Sequence, residues 1–438
     1  MSNFQRRIPV EEDKHPAFAF FLTLLFTFFT LVRPQELFQP LNGLPIIAIL
    51  SVLSVIVILI AHRPIQLYPQ HYLLLSMFPV VVVSGLLNGW LGEGVTEGFK
   101  YINNCFIPLF VFSVVYTSAS RQKAFMWLSL IAAIICVHNG HIQQNSETGF
   151  GWAAYSHYVE KGRITYIGIL SDPNDLGIFF IMNIPFSLYF FTKSKGLSKL
   201  LALVSFICLL YGIYMTNSRG SMLALAGVSG LYLLLRFGGT KAIFAGLTLA
   251  PAGLFIMSSF RAVSSQEASA MGRLWAWWDG LEMLKANPLF GIGSNNFLEQ
   301  HGRVAHNTYV QVAAELGLLG YILWVATLLL TLFMTYSIIN YSKTIDLSKA
   351  SKELKMEMAL CSTMFYSLSG FAMAAFFLTR NRFIIYFMIA GVAIASYNRC
   401  MKAIDDSSLI NYKKTNILIL FISMALLLFI YIVLKFTL

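Results

Sequence analysis

Apolar blocks long enough to cross a lipid bilayer recur along almost the whole chain, and they constrain the fold more than any motif does. A spanning helix needs about 20 apolar residues for a hydrocarbon core about 30 Å thick. Candidate spans fall at roughly 17–32, 44–61, 72–88, 101–117, 124–138, 175–192, 200–216, 220–235, 242–258, 307–337, 357–378, 383–398 and 415–436. The expected fold is all-α, a polytopic bundle of about 12–13 transmembrane helices, with residues 1–438 forming one integral membrane domain. Composition agrees, since 57% of the residues are hydrophobic and only 12% charged, far from the balance of a soluble domain. The first block follows Arg6, Arg7 and Lys14 and ends without a small-residue cleavage site, so it is expected to remain as a helix rather than be removed as a signal peptide. Cys105, Cys136, Cys208, Cys361 and Cys400 form no CxxC pair, which points neither to a disulfide framework nor to a zinc site.

The formal charge of +11 could fit a nucleic-acid partner, but its distribution is that of a membrane topology. With the N-terminus inside, 19 of the 31 basic residues fall in inner loops and 12 outside, as the positive-inside rule requires. The inner set is 13 Lys and 6 Arg, whereas the outer set is 8 Arg and 4 Lys. Arginine offers a rigid fork matched to phosphate, so an arginine bias on the outer side hints at an anionic ligand there. Two outer segments are long, 139–172 and 259–306.

The second of these ends in His306-Asn307-Thr308-Tyr309, directly before an apolar run. A histidine at that mouth titrates near neutral pH and suits a general base, although an interfacial helix cap is the plainer reading of position alone. Asn307, Gln311 and Glu315 recur every four residues and share one helix face. Glu315, about 13 Å below His306 at 1.5 Å per residue, calls for a polar partner or cavity at that depth. Upstream, 271–286 reads as an amphipathic helix with Leu274, Trp277, Trp278, Leu281 and Leu284 on one stripe, able to hold Arg273 at headgroup level. Gly291-Ile292-Gly293 marks a turn where backbone approaches something closely. Arg219 sits in a very short outer turn between two spans, where a basic residue is costly unless it meets an anion or acid. Asp172-Pro173-Asn174-Asp175 has the form of a helix start, with metal binding by the two aspartates as the sharper alternative. Arg163 is a further outer arginine available to an anion. His138 and His141 have helical spacing, but no further ligand nearby completes a metal site.

Taken in order, Gly272-Arg273-Leu274-Trp275, Asn287-Pro288-Leu289-Phe290-Gly291-Ile292-Gly293, His306-Asn307-Thr308-Tyr309 and Glu315-Leu316-Gly317-Leu318-Leu319-Gly320 resemble the signature region of bacterial O-antigen ligases and Wzy-type polymerases. Asp172-Pro173-Asn174 and Ser218-Arg219-Gly220 resemble further patches of that family. The resemblance implies a GT-C-like glycosyltransferase of the inner membrane with its active site facing the periplasm. It would work without a metal or other cofactor. It would move a glycan from undecaprenyl diphosphate to an acceptor hydroxyl on lipid A core or a polysaccharide. It further implies His306 as the base, with Arg219, Arg273 and, less directly, Arg163 holding the diphosphate, supported by Asn307, Glu315 and Asp172. Two alternatives stay open: a polymerase joining lipid-linked repeat units, and a transporter of lipid-linked glycans. Against the transporter, the charges gather at the outer face rather than the midplane, and no repeat is visible.

Overall fold

The computed structural model describes residues 17–61, 65–153, 162–239, 264–404 and 409–438. The span expected at 242–258 lies outside them, as do Arg6, Arg7, Lys14, Arg63 and Lys241, and so does the middle of the first long outer segment. The described residues fold as helices, with no strand among them. In chain order the helices are α1 (Ala17–Leu31), α2 (Ile46–Ala61), α3 (Pro69–Leu87), α4 (Leu91–Val115), α5 (Ala119–Asn145), α6 (Pro173–Lys193) and α7 (Gly196–Thr216). There follow α8 (Arg219–Phe237), α9 (Ser264–Ala286), the short α10 (Phe297–His301), α11 (Thr308–Thr344), α12 (Lys352–Ala374), α13 (Ile384–Ile404) and α14 (Tyr412–Thr437). Nine helices among the described residues are long and apolar enough to span a membrane, and α1 and α2 are shorter apolar helices. The chain is a multi-pass membrane protein.

Burial separates centre from rim. In α6 and α13, 83% of the most apolar window is buried, against 22% in α8 and 28% in α7 and α14. The rim helices turn side chains such as Leu200, Ile207, Phe421 and Phe429 outward, as expected where the solvent is lipid.

Two spans differ from their expected bounds for identifiable reasons. The span expected at 101–117 begins at Leu91, because Glu93, Glu97 and Lys100 lower the hydropathy of its first turns. Glu97 is nevertheless buried, paired with Arg382 and Lys100. Within this helix Ile102–Phe106 forms a π turn. The span expected at 124–138 runs on to Asn145, so the segment expected to begin at residue 139 opens with two further helical turns.

The alternation of helix directions brings one set of connections to one end of the bundle. These are 32–45, 146–172, 217–218, 287–307 and 375–383; Arg163 lies in one of them, Arg219 opens α8 directly after another, and the neighbouring helix α9 carries Arg273.

Candidate active site

The site is built around a break in α11. Gly317 has φ 63 and ψ −169, a region open essentially only to glycine. The broken helix leaves peptide groups without helical partners, and the 288–293 segment supplies them. Leu318 N donates to Pro288 O at 2.8 Å and Leu319 N to Leu289 O at 3.3 Å, while Ile292 N and Gly293 N donate to Ala314 O and Glu315 O, each at 3.0 Å. A Cβ on Gly291 would lie 2.4 Å from the Glu315 carbonyl carbon. The close approach expected of Gly291-Ile292-Gly293 is therefore to the backbone of α11. Ser84 Oγ also donates to Glu315 O at 3.1 Å, and Asn88 Nδ2 to Gly291 O at 3.0 Å, locking the wedge to α3. Glu315 is fully enclosed, taking hydrogen bonds from Gln311 and from the backbone of Asn295 and Phe297. It serves this joint, and Gln311 with the two backbone amides are the polar partners that its depth called for.

The same face of α11 leads up to His306. Gln311 Oε1 accepts from Ala305 N at 2.9 Å, and Trp277 Nε1 of α9 donates to Ala305 O at 2.8 Å. The Asn307 side chain caps the helix, accepting from Tyr309 N at 3.0 Å and Val310 N at 3.2 Å. Between these anchors His306 is held at φ 49, a left-handed conformation that persists in a non-glycine residue when its surroundings over-determine it. Asn307, not His306, supplies the side-chain cap of this helix. The His306 imidazole is half-buried, and burial followed by the field of Arg273 pushes its pKa below the usual value, with Arg380 and Arg303 adding to the depression and Asp172 opposing it. The imidazole stands in the field of three guanidinium groups, which disfavours its charged form.

The amphipathic stripe of α9 behaves as expected. Leu281 is buried, and Leu274, Trp277, Trp278 and Leu284 pack against the core. Gly280 lets α9 approach Val310 and Phe297, and Trp278 stacks on Tyr431 of α14. Arg303 lies over Gly272, beside Arg273.

On the other side, the turns before α6 and α8 are tied together. Asp172 caps α6, accepting from Asn174 N at 2.7 Å, as the helix-start reading predicts. Asn174 Oδ1 in turn accepts from Ser218 Oγ at 2.7 Å and from Arg163 at 3.2 Å, and Arg163 also donates to Thr216 O at 3.1 Å. Arg163 thus does its visible work within the scaffold. Arg219 opens α8, and its Nη2 is buried without a hydrogen-bond partner.

The connection 375–383 joins the two sides. Thr308 N donates to Ala375 O at 2.8 Å, Thr308 Oγ1 to Leu378 O at 2.6 Å, and Arg380 N to Thr308 Oγ1 at 3.0 Å. Gly220, next to Arg219, packs directly on Phe377. Arg380 forms a two-pronged pair with the buried carboxylate of Asp175, so both oxygens of this carboxylate meet a guanidinium. Among the described residues no group of three His, Cys, Asp or Glu is gathered as a metal site. Sequence reasoning did not single out Arg380, Arg382 or Arg303. The argument applied to Arg219, a basic residue in a tight outer turn between spans, holds equally for Thr379-Arg380-Asn381-Arg382 and would have found two of them. His138 and His141 stay apart from the site, with His141 bonded to Tyr211 at 2.9 Å.

A family model described as O-antigen ligase matches residues 204–325, a stretch that contains Arg219, Arg273, His306 and the break in α11. Through this segment the chain is similar to the O-antigen ligase family. The chain is also 25% identical over 220 residues to the exopolysaccharide production protein ExoQ of Rhizobium meliloti (strain 1021), an alignment covering 42% of this chain. It spans about half (49%) of the length of that relative. The family segment ends inside α11, so Asp175, Arg380 and Arg382 lie outside it on the chain while meeting it in space.

Proposed function

We propose that the chain is an inverting, metal-independent glycosyltransferase that moves a glycan from undecaprenyl diphosphate to an acceptor hydroxyl at the periplasmic face of the inner membrane. The observation that carries this reading is His306 in the field of Arg273, Arg303 and Arg380, with Arg219 opening α8 at the same end of the bundle. A diphosphate leaving group departs as an anion and needs no proton, so guanidinium forks supply what it requires. The acceptor hydroxyl must lose its proton as it attacks, and one neutral imidazole can take it. Attack opposite the diphosphate inverts the anomeric carbon. Asp172 and Asp175 spend their carboxylates on Asn174 and Arg380, so the counter-charge to the diphosphate comes from arginine. Asn307 and Glu315 support the site by fixing the start and the break of α11.

The test is transfer by the purified full chain from lipid-linked donor to candidate acceptors, lipid A core first, with and without excess chelator. Transfer that survives chelator is expected. Loss of activity with recovery on adding magnesium or manganese would remove the arginine mechanism. A second reading, a polymerase whose acceptor is another lipid-linked repeat, is favoured by the relative named for exopolysaccharide production. The same assay decides it, because polymer then forms without lipid A core.

Two further outcomes follow from the charges. Burial and Arg273 lower the His306 pKa, so its base form persists below the ordinary value of about 6.5. The single-turnover rate should hold from pH 8 to about 6.5 and fall only on further acidification, as the imidazole takes up a proton. A fall centred above that value contradicts the assignment. Replacing Arg219 with Ala removes a charge-assisted contact of about 1.5–3 kcal/mol, which weakens donor binding about 10–150-fold. Arg219→Lys should restore only part of this, since a point charge cannot reproduce a fork. Unchanged donor affinity in Arg219→Ala would take this residue out of the site.

A further inference from the structure

A second polar cavity opens at the same end of the bundle and is not lined by His306 or by the arginines around it. It has a volume of about 580 Å³, within the range of small-molecule sites. Its polar wall is formed by Arg33, Gln35, Glu36, Asn42, Asn103 and Asn104. Ile384, one residue beyond the connection that carries Arg380 and Arg382, closes one side.

Three independent features mark this wall as built for a ligand. Asn103 and Asn104 lie in the π turn Ile102–Phe106 of α4, and an inserted residue of this kind inside a helix recurs at functional sites. Two adjacent amides in a membrane helix are costly unless a polar environment receives them. Arg33 takes a left-handed backbone conformation, φ 58 and ψ 48, and its guanidinium crosses Gly168, where a Cβ would lie 1.8 Å from Nε. Gln35 is buried, its amide nitrogen donating to Phe29 O at 3.2 Å, while its Oε1 is buried with no partner.

The chemistry of the wall selects the ligand class. Among the described residues Arg33 and Glu36 are the cavity's only charged lining residues and they pair with each other, Arg33 Nε to Glu36 Oε1 at 2.7 Å, so the described lining carries no net charge. Four carboxamides offer both donors and acceptors. That combination suits vicinal hydroxyl groups and gives an anion little advantage, the opposite of the arginine cluster beside His306. We infer that this cavity is a subsite for uncharged sugar residues of the glycan, separate from the diphosphate site. The inference rests on the glycan-transfer reading.

The experiment uses the full chain in nanodiscs. The probe is a phosphate-free oligosaccharide released by partial acid hydrolysis from the surface polysaccharide of the producing cells, with binding followed by saturation-transfer NMR. Asn103 and Asn42 are exposed, so Asn103→Leu and Asn42→Trp should leave the thermal midpoint unchanged, and each should weaken binding at least about tenfold, the equivalent of 1.4 kcal/mol. His306→Ala should bind the probe like the wild type. Wild-type binding unaffected by either cavity variant, in a protein that still transfers glycan, overturns the subsite alone. Displacement of the bound probe by glycerol phosphate at equal concentration would mark a lipid-headgroup site and also overturn it. A wild type that neither binds the probe nor transfers glycan removes the function reading and the subsite with it.

Discussion

His306→Ala is expected to lose about 10²–10⁴ in single-turnover transfer, the range of a positioned general base, while binding lipid-linked donor nearly as tightly as the wild type. The separation is expected because the histidine meets the acceptor hydroxyl, and the proton it takes is released only in the transition state. Its neighbours hold the backbone at φ 49 through Trp277, Gln311 and the Asn307 cap, so the alanine variant keeps the local chain path. Donor affinity and rate are measured on the same preparation. An alanine enzyme with wild-type turnover, or one whose only defect is donor affinity, would leave His306 with a structural role.

The second large effect concerns Asp175 and Arg380, 205 positions apart in sequence. Asp175→Ala leaves a guanidinium facing an emptied carboxylate site. Breaking a buried ion pair costs about 3–5 kcal/mol, and because the Arg380 side chain is 35% exposed, the lower end is expected. The readout is the thermal midpoint in detergent. Replacing both partners with leucine should recover most of the stability, since the desolvation cost goes with the charges. Transfer should nevertheless stay low in the double variant, because Arg380 contributes to the field at His306. Full recovery of both stability and transfer would reduce the pair to a structural clamp.

The helical membrane class of the chain and the helix starts around the candidate site were legible in the sequence because they rest on local signals. Span length, the helix start at Asp172 and the one at Asn307 are each read within a few residues. What was not legible depended on pairing across the bundle. Glu97 looks like a loop residue by hydropathy, and Arg382, 285 positions away, joins Lys100 in making its burial tolerable. The partner of Gly291 is backbone of α11, which no pattern within 287–296 announces. Arg163 was read as an available cation, but its place between Thr216 and Asn174 is fixed by how three turns meet.

The wedge at Gly317 also bears on how such proteins can diverge and be recombined. Peptide groups on both sides of the break find their partners in residues 288–293. Inside a bilayer an unpaired peptide group costs several kcal/mol, so neither piece is at home without the other. Residues 288–320 therefore behave as one heritable block. A chimaera that takes the whole block from a relative should insert and fold, whereas one that crosses over between the glycine turn and the helix must find a new match for every bond at the seam.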